Sequence, residues 1–192
     1  MRIELALASV ALLALSGCAS TPASKSEEPT DATSTIEETI AAPALPEFDS
    51  TCDDTAGDGA SGADIARVEL SSDGSLVFLT YRLADNVQPQ DFDRISFLTT
   101  AFSADGEQGY QFGSIFTGGF ESSNFVFDFG TATQKNITNG AVFADGKVGM
   151  RYPVADLEKL GPDFTWYAVV SVDSEDVDFC GGPMDEAIVV SG

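Results

Sequence analysis

Histidine is absent from all 192 residues, and its absence removes several kinds of active site from consideration. A Ser-His-Asp triad, a Cys-His pair and a His-ligated zinc site all need an imidazole. Basic residues are scarce as well, with nine Lys and Arg against 31 Asp and Glu and a net charge of −22. Because such a chain repels phosphate groups, we expect no nucleic acid partner and no attraction to anionic lipid headgroups.

Long apolar runs are also missing, apart from one near the start, from Leu5 to Leu15. This run is too short to cross ~30 Å of hydrocarbon as a helix, and with Arg2 before it the pattern is typical of a signal peptide. It ends in Leu15-Ser16-Gly17-Cys18, which resembles a bacterial lipobox. The resemblance implies removal of residues 1–17 and attachment of lipid, such as palmitate, to Cys18.

Lipid on Cys18 would anchor the protein stably in a membrane, since a diacylglyceryl group plus an amide-linked chain supplies more than one acyl chain. We therefore expect a lipoprotein of the cell envelope. The residue after Cys18 is Ala19 and not Asp. In a bacterium with two membranes this is similar to lipoproteins of the outer membrane.

Residues 18–49 are rich in Ser, Thr, Pro, Ala and Glu and have few large apolar side chains. Such a segment cannot bury enough surface to offset its ordering entropy, so we predict a disordered tether. The remaining residues, 50–192, have the length of one domain. They contain 23 Asp and Glu and seven Lys and Arg, so most of the negative charge belongs to this domain.

The lipobox assigns a role to one of the three cysteines and so indicates the role of the other two. With Cys18 committed to lipid, Cys52 and Cys180 remain as an even pair in a compartment that permits oxidation. We predict a disulfide between them, which would close a loop spanning most of the domain. The alternative is that they are two unpaired buried thiols.

Apolar residues beyond residue 65 recur with a period of two, which is the pattern of half-buried strands. Val77, Leu79 and Tyr81 give one example, and the run from Phe164 to Val172 gives the longest. Turn sequences such as Ala144-Asp145-Gly146 separate eight to ten such stretches. The fold class predicted is an all-β sandwich, with a jelly-roll-like order favoured over an immunoglobulin-like one, and one short helix near residues 153–160.

Two groups of acids lie close to the paired cysteines. Asp53, Asp54, Asp58 and Asp64 follow Cys52 around Gly57, whereas Asp173, Glu175, Asp176 and Asp178 precede Cys180. A disulfide would bring the two groups to one pole of the sandwich. Hard cations such as Ca²⁺ take carboxylate and carbonyl oxygens, which a glycine-containing acidic loop supplies.

The spacing of Asp54, Gly57 and Asp58, followed by Asp64-Ile65 before a strand, resembles calcium-binding β-sandwich domains such as family 9 carbohydrate-binding modules and DOMON-like domains. The resemblance implies that Asp54, Asp58 and Asp64 bind the metal, and we add Asp178 from the second group. Thr55 stands where such domains often have Pro. The alternative is a solvated turn with no ion, on a surface whose acids serve solubility.

No catalytic motif follows from the sequence, and we predict a binding or structural module that is not an enzyme. A glycan or an envelope protein is a candidate partner. Trp166 is in phase with Phe164 and Val170 and is expected in the core, whereas Tyr167 faces the other way. The alternatives are a carbohydrate-active hydrolase that uses paired carboxylates and a purely structural envelope protein without a ligand.

Overall fold

The computed structural model describes residues 45–59, 62–182 and 186–192. The predicted signal peptide, Cys18 and the tether as far as residue 44 lie outside these residues. The described part forms two antiparallel β-sheets, and the predicted all-β sandwich is confirmed. None of its helices is long and apolar enough to cross a membrane.

The described residues form twelve strands. In chain order these are β1 (Glu47–Asp53), β2 (Ile65–Asp73), β3 (Leu76–Leu83), β4 (Arg94–Ser103), β5 (Gly109–Thr117), β6 (Phe120–Asp128), β7 (Thr133–Asn136), β8 (Val142–Ala144), β9 (Lys147–Pro153), β10 (Phe164–Val172), β11 (Glu175–Cys180) and β12 (Ile188–Val190). The five-stranded sheet has the order β1-β2-β3-β9-β8. The seven-stranded sheet has the order β11-β10-β4-β5-β6-β7, and β12 pairs with β10.

Alternating side chains build the core between the two sheets. In β3 the buried positions are Val77, Leu79, Tyr81 and Leu83, as the period of two predicts. Aromatic rings join the two layers edge to face. The centroids of Tyr81 and Phe97 are 5.4 Å apart, and those of Phe112 and Tyr152 are 5.2 Å apart. Such contacts add about 1 kcal/mol each beyond the area they bury.

Trp166 lies fully buried in this core, as its phase predicts, and its indole Nε1 donates a hydrogen bond to Ser50 Oγ at 2.9 Å. Tyr167 points to the opposite face of the same strand and is half-buried. Ser50 belongs to β1, so this bond joins the two sheets. A buried indole N–H needs such a partner, because leaving it unpaired would cost ~1–3 kcal/mol.

The strand order is a set of meanders and not the jelly-roll-like order that we favoured. Most consecutive strands pair as hairpins, and the non-consecutive pairs among the described strands are β3–β9, β4–β10 and β10–β12. Short turns explain this order, since Gly118-Gly119 joins β5 to β6 and Asp145-Gly146 joins β8 to β9, all at positive φ. Such turns favour pairing between neighbours in the sequence.

The predicted helix near residues 153–160 is replaced by two 3-10 turns, Val154–Asp156 and Glu158–Leu160. Leu157 separates them with φ −127° and ψ 11°, which is not a helical conformation. A segment this short gains little from helix formation by itself, so packing of Val154, Leu157 and Leu160 into the core decides its path.

Three strands lie where sequence periodicity gave no strand. β1 begins at Glu47, before the predicted domain start at residue 50, while β7 and β11 are polar edge strands. All four residues of β7 are exposed. An edge strand packs few side chains against the core, so its sequence has a weak apolar alternation.

Candidate metal centre

A disulfide joins Cys52 in β1 to Cys180 in β11, as predicted, with a Cα–Cα distance of 5.9 Å. These strands belong to different sheets, so the bridge clamps the sandwich at one pole. Both cysteines are buried. β1 ends at Asp53, one residue after Cys52, and the chain then enters the loop that contains Asp54 and Asp58, so the bridge positions this loop against β11.

Asp64 braces that loop from inside. Its Oδ2 accepts a hydrogen bond from Gly57 N and its Oδ1 accepts one from Gly59 N, both at 2.8 Å. Gly57 has φ +98°, which only glycine adopts at low cost. A Cβ at Gly59 would meet Asp64 Oδ1 at 2.7 Å, so the backbone approaches the carboxylate more closely than it could with any residue other than glycine at position 59. The local sequence therefore fixes a tight loop around one buried acid.

Asp178 reaches the same place from β11. It is buried, and its Oδ2 accepts a hydrogen bond from Ile65 N at 2.6 Å. Its Oδ1 accepts one from Phe179 N at 2.9 Å. The first bond crosses from one sheet to the other. It ties the end of the acidic loop to the strand that carries Cys180.

The carboxylates of Asp54, Asp58 and Asp178 converge. One oxygen from each of these three residues lies within 4.8 Å of the other two. Two oxygens on opposite sides of a Ca²⁺ ion, each at about 2.4 Å, would be separated by about 4.8 Å. The spacing therefore fits oxygen ligands around one ion of that size.

Asp64, the fourth residue predicted as a ligand, lies outside this group of three. Its two carboxylate oxygens accept the Gly57 and Gly59 amides inside the loop, whereas Asp178, which also accepts two backbone N–H groups, keeps one oxygen within reach of Asp54 and Asp58. In the sequence Asp64 lies between the loop and β2, a position that suits a metal ligand as well as an acceptor for loop amides. Only the folded loop distinguishes an acid that braces the backbone from one that faces the cluster.

Asp54 has an unusual environment within this group. Its Oδ2 is buried and has no hydrogen-bond partner among the described residues. Burial raises the pKa of Asp54, and repulsion from Asp178, Asp58 and Asp64 raises it further, against a hydrogen bond from the Thr55 backbone that lowers it. Buried polar atoms are normally paired, so this oxygen lacks a partner that a cation would supply.

Asp178 also has a raised pKa. Burial is the main cause, and repulsion from Asp64 and Asp58 adds to it, while the bonds from Ile65 N and Phe179 N act in the opposite direction. Ionised carboxylates this close repel each other by about 1 kcal/mol per pair even in water, and by more in a less polar setting. A divalent cation would reverse the sign of that interaction.

A cavity of about 420 Å³ lies beside the cluster, lined by Asp54, Phe179, Gly181, Gly182 and Glu186. Glu186 adds a further carboxylate to the lining of this cavity, and sequence reasoning did not select it. Its only sequence signal is its nearness to Cys180, across a segment with no recognisable motif. The cavity gives the cluster an opening to solvent on this side.

The other acids that precede Cys180 do not reach the cluster. Asp173 lies in the turn before β11, where its Oδ1 accepts a hydrogen bond from Arg94 N at 3.2 Å. Asp176 Oδ1 accepts one from Ser171 Oγ at 2.7 Å. An extended strand separates these residues from Cys180 by ~3.3 Å per residue. The disulfide therefore brings Asp178 to the loop and leaves Asp173, Glu175 and Asp176 further along β11.

Comparison with known proteins found no relative: no family model, no curated protein and no solved structure matches this chain.

Proposed function

We propose that this protein is a lipid-anchored binding module of the cell envelope, and that its β-sandwich binds one Ca²⁺ ion through Asp54, Asp58 and Asp178. Cys18 carries the lipid, and the segment before residue 45 holds the sandwich away from the bilayer. The module binds and does not catalyse. Its cation site lies at the disulfide-linked pole.

The convergence of three carboxylates within 4.8 Å carries the calcium proposal. The buried, unpaired Asp54 Oδ2 supports it, because an atom in that position gains most from a cation. The side-chain atoms that converge here are carboxylate oxygens. As metal ligands they suit a hard cation and not a transition metal that prefers nitrogen or sulfur. The remaining ligands are water and carbonyl oxygens of the loop, with Glu186 near the opening.

In this proposal Asp64 is not a ligand. It holds the Gly57 and Gly59 amides so that the loop keeps its shape, and the three other acids bind the ion. Calcium then acts structurally, because it offsets carboxylate repulsion at the point where β1, the loop and β11 meet. Binding to the folded state alone stabilises that state by mass action.

Thermal unfolding tests the calcium site. We expect the melting temperature of the metal-free protein to rise as Ca²⁺ is added from 0.01 to 10 mM. At a hundred times the Kd the gain is about 2.7 kcal/mol. That corresponds to roughly 5–10 °C for a domain of this size. Melting curves that coincide in chelator and in 10 mM Ca²⁺ would contradict the proposed calcium site.

Asp58→Asn is the informative variant, because Asp58 is exposed and its replacement should leave the fold intact. It should lose most of the calcium-induced shift. The matched control is Asp49→Asn, which removes the same charge from an exposed position of β1. The control should keep the full calcium-induced shift. If the two variants lose the shift equally, calcium acts through general charge screening and not through a site at Asp58.

Membrane anchoring rests on the lipobox at residues 15–18, so Cys18→Ser is its test. The unchanged chain should sediment with membranes and partition into the detergent phase of a Triton X-114 separation. The variant should move to the aqueous phase, since without the acyl chains no lasting attachment remains. A variant that stays with the membranes would show that another feature provides the anchor.

A further inference from the structure

The two outer faces of the sandwich differ sharply in charge. On the five-stranded sheet, acidic and basic residues alternate with the core positions, and pairs such as Arg67–Asp53 and Arg82–Glu69 form salt bridges. On the seven-stranded sheet, the outward positions of the described strands are uncharged except for Arg94 and Asp176 at one end. We call this second surface the uncharged face.

Large apolar side chains are exposed on the uncharged face. Four of the exposed large hydrophobic residues belong to it: Phe102, Phe129, Phe179 and Val189, whose exposed fractions are 36%, 43%, 40% and 69%. Strand register places three of them in one row. Val189 lies opposite Thr165, Thr165 lies opposite Phe102, and Phe102 lies opposite Gly109. Phe129 closes the row, because its N–H donates to Gly109 O.

Gly109 lets the two phenylalanines approach each other. A Cβ at Gly109 would meet Phe102 at 2.6 Å and Phe129 at 2.9 Å, so both rings pack directly against the glycine backbone. The ring centroids are 6.0 Å apart and the planes are within 13°. The next row contains Tyr167 and Phe127, and Phe127 contacts Phe129 edge to face. The two rows therefore combine aromatic and apolar side chains with the uncharged polar side chains of Thr165, Thr100 and Gln111.

We propose that the uncharged face is the interface of a homodimer, in which it packs against the same face of a second copy. Six strands at ~4.8 Å and four outward rows at ~6.7 Å give an area of roughly 800 Å². This matches the ~800 Å² per partner that stable complexes bury. Aromatic residues without charges at the centre are the composition of such interfaces.

Charge limits which face two copies of this chain can share. The chain has a net charge of −22, so two copies repel each other through most of their surface. Packing through the uncharged face keeps the charged five-stranded sheets of the two copies on the outside and furthest apart. A twofold interface needs one self-complementary patch, which a surface without charges can supply. The cation-binding pole remains at the edge of this arrangement.

Sedimentation equilibrium tests the dimer. The full chain with Cys18→Ser, which has no lipid, should give about twice 20.1 kDa at micromolar concentration. Val189→Lys and Phe102→Lys each place a charge at an exposed position of the face. Each should raise the dimer Kd at least tenfold, because a buried unpaired charge opposes association.

Val142→Lys is the matched control, because Val142 is an exposed apolar residue on the five-stranded sheet. It should leave the Kd unchanged, and circular dichroism should show that all three variants are folded. A monomer at 100 μM overturns the proposal, as does equal weakening by the control. A monomer that is retained on a neutral polysaccharide through Phe102 would assign the face to a glycan and would also overturn the dimer.

Discussion

At the scale of single residues, acids that look alike in the sequence have different environments. Asp64 is a buried acceptor for loop amides, Asp178 is a buried acceptor that joins the sheets, and Asp54 has one buried oxygen without a partner. The difference lies in which backbone N–H groups point at each carboxylate. This is decided by the fold of the loop and by the position of β11.

Protonation of Asp54 should affect stability in the metal-free protein. Its pKa in the folded state is raised above 3.8, mainly by burial, so its ionised form is less stable in the folded protein than in the unfolded chain. The folded state therefore takes up the proton first. The contribution of Asp54 to stability rises as pH falls through its folded pKa, and it is constant below 3.8.

We expect Asp54→Asn to stabilise the metal-free protein at pH 7 by about 1 kcal/mol, the size of one carboxylate repulsion. This advantage should shrink as the pH is lowered towards 4, because the raised pKa lets Asp54 of the folded wild type take up a proton before a free carboxylate would. In 10 mM Ca²⁺ at pH 7 the same variant should be less stable than the wild type. Urea unfolding at the two pH values measures both effects, and a variant with the same sign in chelator and in Ca²⁺ would argue against a role in ion binding.

At the scale of elements, the hairpin between β10 and β11 is built without glycine. Asp173 has φ +51° and Ser174 has φ +74°, which is the pattern of a type I′ turn. The corresponding turn between β5 and β6 uses Gly118 and Gly119 at φ +57° and +85°. A non-glycine residue at positive φ costs ~1–2 kcal/mol, so Ser174 strains the hairpin that leads to Asp178 and Cys180.

Ser174→Gly should therefore stabilise the protein by about 0.5–1 kcal/mol, after allowing for the greater entropy of glycine in the unfolded chain. The expected rise in melting temperature is roughly 1–4 °C. Gly118→Ala is the reciprocal change, since the added Cβ meets nothing within 4 Å and only the backbone conformation is tested. It should lower the stability, and a Ser174→Gly variant that melts lower than the wild type would contradict the turn assignment.

The strands could be predicted wherever one face packs on the core. In β3 and β10 the alternation of Val77 with Leu79 and of Phe164 with Trp166 was sufficient. The edge strands β7 and β11 lacked this signal and became visible only through their pairing with β6 and β10. Between Val154 and Leu160 the apolar spacing was read as a helix, whereas the chain forms two 3-10 turns.

At the scale of the whole molecule, one covalent bond controls how the ends of the domain meet. The Cys52–Cys180 disulfide spans 128 residues and joins the two sheets. In the chain-entropy model a loop of this length contributes on the order of 5 kcal/mol, which is a large part of the stability of one domain. It also holds the loop of Asp54 and Asp58 beside β11, so the disulfide and the carboxylate cluster lie at the same pole.

The sequence by itself determined the all-β class, the pairing of Cys52 with Cys180 and the burial of Trp166, because strand periodicity is a local constraint and only two of the three cysteines lie within the domain. It also selected Asp54, Asp58, Asp64 and Asp178 from 31 acids as candidate metal ligands, and three of these four converge in the structure. Only the tertiary structure decided that Asp64 braces the loop and that Asp173 and Asp176 lie apart from it. It also decided that one outer face is uncharged, because strand register and sheet order set which side chains share a surface.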